Sequence, residues 1–195
     1  MGKILIEIKR KLAAIVFTDI VGFTALSAKD EKKAIQLLDS QRQIFSLLIK
    51  EFKATKHKEV GDGILLSFQT VTDAINFSIS LQSKVRDIDD LNLRIGIHEG
   101  EISLIESDIL GDDVNIASRI EQYSPVGGIA ISGKVQQDIS SLPEYNTEFI
   151  GSPTLKGVSQ KIEIYSSGGT YKFLKEINRL TSEKIIEDVQ KKINE

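Results

Sequence analysis

Leu12 to Thr18 is a β-rich run, apolar on both faces, that stops at an acid, Asp19, within the stretch FTDIVGFT. Apolar side chains at every position suit a strand in the middle of a sheet, where neither face meets water. The rest of the chain must therefore supply neighbouring strands. Its 195 residues, 41% of them hydrophobic, suffice for one substantial domain with a real core.

The neighbours can be read from pattern. Asp30 is a good N-cap for a long helix whose Ile35, Leu38, Phe45, Leu48, Ile49 and Phe52 recur near helical spacing and face the core. KHKEV and GILLSF are short strands joined by Gly61-Asp62-Gly63, which reads as a tight hairpin with Asp62 at its tip. A second helix spans about Thr72 to Val85, with Ala74, Phe77, Leu81 and Val85 inward. Leu91, Leu93, Ile95 and Ile97 then alternate with Asn92, Arg94, Gly96 and His98, the mark of a strand with one buried face. This order predicts an α+β fold with a ferredoxin-like split βαβ core, its antiparallel or mixed sheet covered on one side by helices and open on the other.

Further on, GDDVNIASRIEQY predicts a helix from about Asp112, GIAIS a strand, GKVQQDIS a helix, and Glu148 to Gly151 and Lys161 to Tyr165 two more strands. Ser166-Ser167-Gly168-Gly169 reads as a flexible link. Beyond it, Ile177, Leu180, Ile186, Val189 and Ile193 suggest a C-terminal helical segment that docks on the domain, forms a dimer seam or serves as a connector. The expected division is an N-terminal segment 1–10, a domain 11–167 and a helical segment 168–195.

Composition removes several classes. Net charge is −3 with Lys and Arg dispersed, unlike the basic footprint of a nucleic-acid binder. There are no cysteines, hence no disulfides or thiolate metal sites. No apolar run approaches the roughly 20 residues that span a bilayer, and MGKILIEIKRK has no signal-peptide core. A cytoplasmic protein without a membrane span is expected.

The chemistry is concentrated in acids. Asp19 closes a strand and Asp62 tips a hairpin; if those strands are neighbours, the carboxylates converge and repel unless a cation separates them. Hard oxygen ligands suit Mg²⁺ or Mn²⁺, and two carboxylates leave positions open for phosphate oxygens. The turn Ile20 to Thr24 would offer backbone amides to the same phosphates, making Phe23 and Thr24 binding candidates. The plainer alternative has Asp19 capping the short helix that follows and Asp62 as a turn residue. His57 and His98 read as structural, and the rings of Phe23, Phe45 and Phe68 as core.

Four segments taken together, FTDIVGFT, KEVGDGILLSF, LRIGIHEGE and DILGDDVNIASR, resemble in order and separation the catalytic domain of class III nucleotidyl cyclases, over about Leu12 to Tyr165. The resemblance implies that Asp19, Asp62 and the Ile20 carbonyl bind two divalent metal ions against a nucleoside triphosphate. It implies base selection by Lys58 and Asp108. A lysine ammonium serves the N1 acceptor of adenine and a carboxylate takes its N6 amine, whereas guanine presents the opposite pattern, so ATP is the expected substrate. Asn115 and Arg119, four apart on one helix, would position the ribose and stabilise charge on the α-phosphoryl. Lys156 in TLKGV matches a lysine that contacts the β- and γ-phosphates.

Members of the family act as dimers with composite sites, and this chain carries both halves, so a homodimer is implied. The segment between Gly100 and Asp108 is shorter than in many members, and a regulatory domain or partner is not evident in the chain. The expected activity is conversion of ATP to 3′,5′-cyclic AMP and pyrophosphate. The rival expectations are a guanylate cyclase and a nucleotide-sensing domain without turnover.

Overall fold

The computed structural model describes residues 8–105 and 108–167. The strand β1 (Ile8–Ile20) leads into α1 (Phe23–Lys29) and α2 (Glu31–Glu51), then the hairpin β2 (Thr55–Val60) and β3 (Gly63–Phe68), and then α3 (Val71–Val85). Next come β4 (Leu93–Ile105), β5 (Asp108–Leu110), and α4 (Asp112–Ile120), which runs into a 3-10 turn at Glu121–Tyr123. The strand β6 (Ile129–Ser132), α5 (Gly133–Ile139), β7 (Thr147–Gly151) and β8 (Ile164–Ser167) follow. All eight strands form one sheet in the order β2-β3-β1-β4-β6-β8-β7, with β5 folded back on β4. The first four pair antiparallel, and β4 pairs parallel with β6. This is the α+β split βαβ core that the order of elements predicts. The C-terminal helical segment expected over 168–195 lies outside the described residues.

The helices α2, α3 and α5 cover one face of the sheet. The Asp30 carboxylate accepts the Lys33 amide (3.0 Å) to start α2, and Thr70 Oγ1 accepts the Asp73 amide (3.1 Å) to start α3, filling donors that a helix N-terminus leaves open. Phe77 of α3 lies edge-on to Phe45 and Phe52 of α2 and tilts against Phe68 of β3, with centroids 5.0 to 6.1 Å apart. The buried stripe of α2 is Ala34, Leu37, Gln41, Phe45 and Leu48. Ile35, expected in the core, is 52% exposed because it lies about 100° round the helix from Ala34.

The other face is not open, as pattern alone suggests. The helix α4 lies across it, and Ala117 and Val114 pack with Ala13, Ile15 and Leu65. His98, at a nominally polar position of β4, is therefore fully buried. Burial lowers its pKa, against the pull of Asp113, and so favours the neutral ring. In that state Nε2–H donates to Asp113 Oδ1 (3.0 Å) and Nδ1 accepts from the Ser132 hydroxyl (2.8 Å). The other Asp113 oxygen accepts the Glu101 amide (2.8 Å), and a Cβ at Gly100 would overlap the Asp113 carboxyl. The first turn of α4 is thus pinned to β4 through a gap that only glycine leaves.

Strand ends differ from expectation. The strand β1 starts at Ile8, four residues before the apolar run that begins at Leu12. The strand β8 starts at Ile164 and includes Ser166 and Ser167, which are buried and paired with β6 and β7, not part of a link. No described helix is long and apolar enough to cross a membrane.

Candidate active site

The strands β1 and β3 are direct neighbours, so the end of β1 meets the β2–β3 turn. The Ile20 amide donates to Asp62 Oδ2 at 2.8 Å, which draws the Asp62 carboxylate to Asp19. Burial first, and then the Asp62 carboxylate, push Asp19 up to about 6; Arg94, its register partner on β4, pulls partly against them. Asp19 does not cap α1, whose cap is Gly22, and Asp62, in the β2–β3 turn, accepts a hydrogen bond from a residue 42 positions away. Two crowded carboxylates are a donor set that fits Mg²⁺ or Mn²⁺, since a cation relieves the repulsion and replaces the lost hydration. Among the described residues no third His, Cys, Asp or Glu joins them as a ligand cluster. Remaining coordination positions would fall to backbone or ligand oxygens.

A second group gathers beside this one. Lys58 and Asn115 line a cleft of about 270 Å³ with Phe17, Leu65, Ile109 and Ser118. Lys58 reaches it through a bulge. Lys56 pairs with Leu66 and Lys58 with Leu65, so His57 is an extra residue in β2. Regular pairing would set Lys58 opposite Ile64, whose side chain belongs to the α2–α3 core; the bulge moves it to the Leu65 face, under α4. Glu59 then falls opposite Ile64 and meets Arg42 of α2 at 2.8 Å. His57 Nε2 lies 2.7 Å from Ser67 Oγ, which fastens the bulge to β3.

Asp108 opens β5, paired with Ile105, one residue before Ile109 of the cleft; its side chain lies outside the described portion. Asn115 is exposed. Arg119, one turn on, is half-buried, does not line the cleft, and has a buried Nε with no hydrogen-bond partner among the described residues. Phe23 packs partly against the core and Thr24 is exposed, both in the first turn of α1. Lys156 is exposed on a loop between β7 and β8. In one chain, then, the structure joins Asp19, Ile20 and Asp62, and separately Lys58 and Asn115; Asp19 and Asp62 do not line the cleft.

Residues 8–169 match the adenylate and guanylate cyclase catalytic domain family. The chain belongs to that family. "Putative adenylate cyclase 3" of Rhizobium meliloti (strain 1021) is 30% identical over 168 residues, which are 82% of this chain and 29% of that protein. The chain thus spans under a third of that relative. Among solved structures, the adenylate/guanylate cyclase/hydrolase from Silicibacter pomeroyi superposes with a TM-score of 0.76 at 26% identity, covering 83% of this chain and 98% of that one. The adenylyl cyclase CyaB from P. aeruginosa gives 0.72 at 26% identity, covering 82% and 95%.

Three residues of this cyclase domain escaped the reading of its sequence. Gln41, 1% exposed in α2, donates from Nε2 to the Asp62 carbonyl (3.1 Å) and so steadies the hairpin tip. Its signal was available: a polar residue in the stripe Leu37, Gln41, Phe45. Arg94 and Glu121 stand behind Asp19. Glu121 is 5% exposed and is pushed up to about 7 by burial and by the charge of Asp19, with Arg94 opposing.

Proposed function

We propose that the domain is an adenylate cyclase that converts ATP to 3′,5′-cyclic AMP and pyrophosphate at sites shared by two copies of the chain. The observation that carries this reading is the convergence of Asp19 and Asp62, with the Ile20 amide holding Asp62 at 2.8 Å. Two Mg²⁺ or Mn²⁺ ions bound there would neutralise the triphosphate and lower the pKa of the ribose 3′-hydroxyl. Asp19, Asp62 and the Ile20 carbonyl hold the ions, and amides of the turn through Phe23 and Thr24 receive phosphate oxygens. The ribose 3′-oxygen bonds to the α-phosphorus as the bond to pyrophosphate breaks. Arg119 meets the charge that develops there, which suits a guanidinium whose Nε has no acceptor among the described residues.

Lys58 and Asp108 select adenine, Asn115 orients the ribose, and Lys156 reaches the outer phosphates. The place of Lys58 and Asn115 in one cleft that excludes Asp19 and Asp62 favours a composite site, in which each subunit gives its aspartates to one nucleotide and its cleft to the other. The catalytic unit is the domain ending at 167, extended forward to Ile8 by β1.

Mixing Asp19→Ala chains with Arg119→Ala chains tests this reading. Each variant alone is expected to be inactive, and an equal mixture to recover about a quarter of wild-type activity, because half the dimers regain one intact site. No recovery, with mixed dimers demonstrated, would overturn the shared site. Product analysis with ATP and GTP separates the rivals: excess cyclic GMP would mean a guanylate cyclase, and nucleotide binding without product a sensing domain.

A further inference from the structure

Behind the aspartate pair is a charged pair that catalysis as described leaves unused. Arg94 is opposite Asp19 in the β1–β4 register, and Gly96, two residues on, shares its face. A Cβ at Gly96 would run into the backbone of Ala117 and Glu121, so the turn that follows α4 rests directly on β4. This contact buries Glu121, and among the described residues its Oε1 has no hydrogen-bond partner; Arg94 Nε is likewise buried without one there. The field of Arg94 acts on both Asp19 and Glu121. One guanidinium therefore lies in the field of two acids, while among the described residues its Nε and Glu121 Oε1 are both unfilled.

Given the proposed cation role of Asp19 and Asp62, we propose that Arg94 is a removable counter-ion of Asp19 and that Glu121 takes it over when a divalent cation arrives. A guanidinium without an acceptor in a buried site is strongly disfavoured, so Arg94 leaves Asp19 only if another acid receives it. Without Glu121, Arg94 stays on Asp19 and competes with the cation. Both are positioning residues that act through Asp19 and touch no substrate.

The test is Mn²⁺ binding to the full chain, read from the electron paramagnetic resonance of free Mn²⁺, with thermal unfolding of each variant in chelator. Wild type is compared with Asp19→Asn, Glu121→Gln, Arg94→Met and the Arg94→Met/Glu121→Gln double variant. The expected results are about tenfold weaker Mn²⁺ binding for Glu121→Gln, tighter binding for Arg94→Met, and less than about twofold effect of Glu121→Gln once Arg94 is gone. An equal loss in both backgrounds would make Glu121 a plain negative charge and overturn the handover. So would a loss of binding that tracks a lowered unfolding temperature and persists without Arg94. If wild-type binding does not depend on Asp19, the cation site itself is wrong, and the handover falls with it.

Discussion

Asp19, raised from 3.8 to about 6 by burial and by Asp62, makes the folded chain the tighter proton binder. Below about pH 4 the group is protonated in both states and has no effect. As pH rises through 6, the folded state must ionise a crowded carboxyl, and stability falls. The rise to about 6 corresponds, after allowance for solvent screening at a half-buried group, to about 1–2 kcal/mol. Asp19→Asn should thus raise the metal-free melting temperature at pH 7.5 by a few degrees while lowering turnover at least about a hundredfold. Calorimetry in chelator across pH 4 to 8 checks the slope, which the variant should flatten. Lys58→Glu should cut the preference for ATP over GTP by about 100-fold or more, read from kcat/KM for each nucleotide; an unchanged ratio would remove Lys58 from base selection.

At the scale of elements, the grip of Asp113 on β4 sets the pose of α4, which carries Asn115 and Arg119. Gly100→Ala should destabilise the domain by about 1–3 kcal/mol in denaturant unfolding and lower kcat more than it raises KM. Asp113→Ala should restore part of the lost stability in that background, because the overlap is gone. This region also marks where the sequence stops being informative. Long apolar runs, caps and the Gly-Asp-Gly turn place most elements, though not β5, and a strand end beside a hairpin tip brings Asp19 and Asp62 together before any coordinates. Period alone cannot see that α4 covers the second face of β4, because a helix built from Val114, Asn115 and Ala117 looks only half apolar. Nor can it see the extra residue at His57, since a bulge has no composition of its own. Ser166 and Ser167 look like linker and are buried strand, because a backbone ladder does not depend on the side chain and β6 and β7 on either side supply the partners.

At the scale of the whole molecule, Asp19 and Asp62 form one group and Lys58 and Asn115 another. On the composite reading, specific activity at fixed ATP should climb steeply with protein concentration and vanish on dilution, in step with the dimer fraction from sedimentation. A flat profile would favour a site complete within one chain. The β2–β3 hairpin carries Lys58 on one flank and Asp62 at its tip, four residues apart along a short and stiff ribbon. In such a dimer the same ribbon clasps a metal for one nucleotide and feels for the base of the other. Filling one pocket must then tug on its twin, and saturation curves should depart from a Hill coefficient of one.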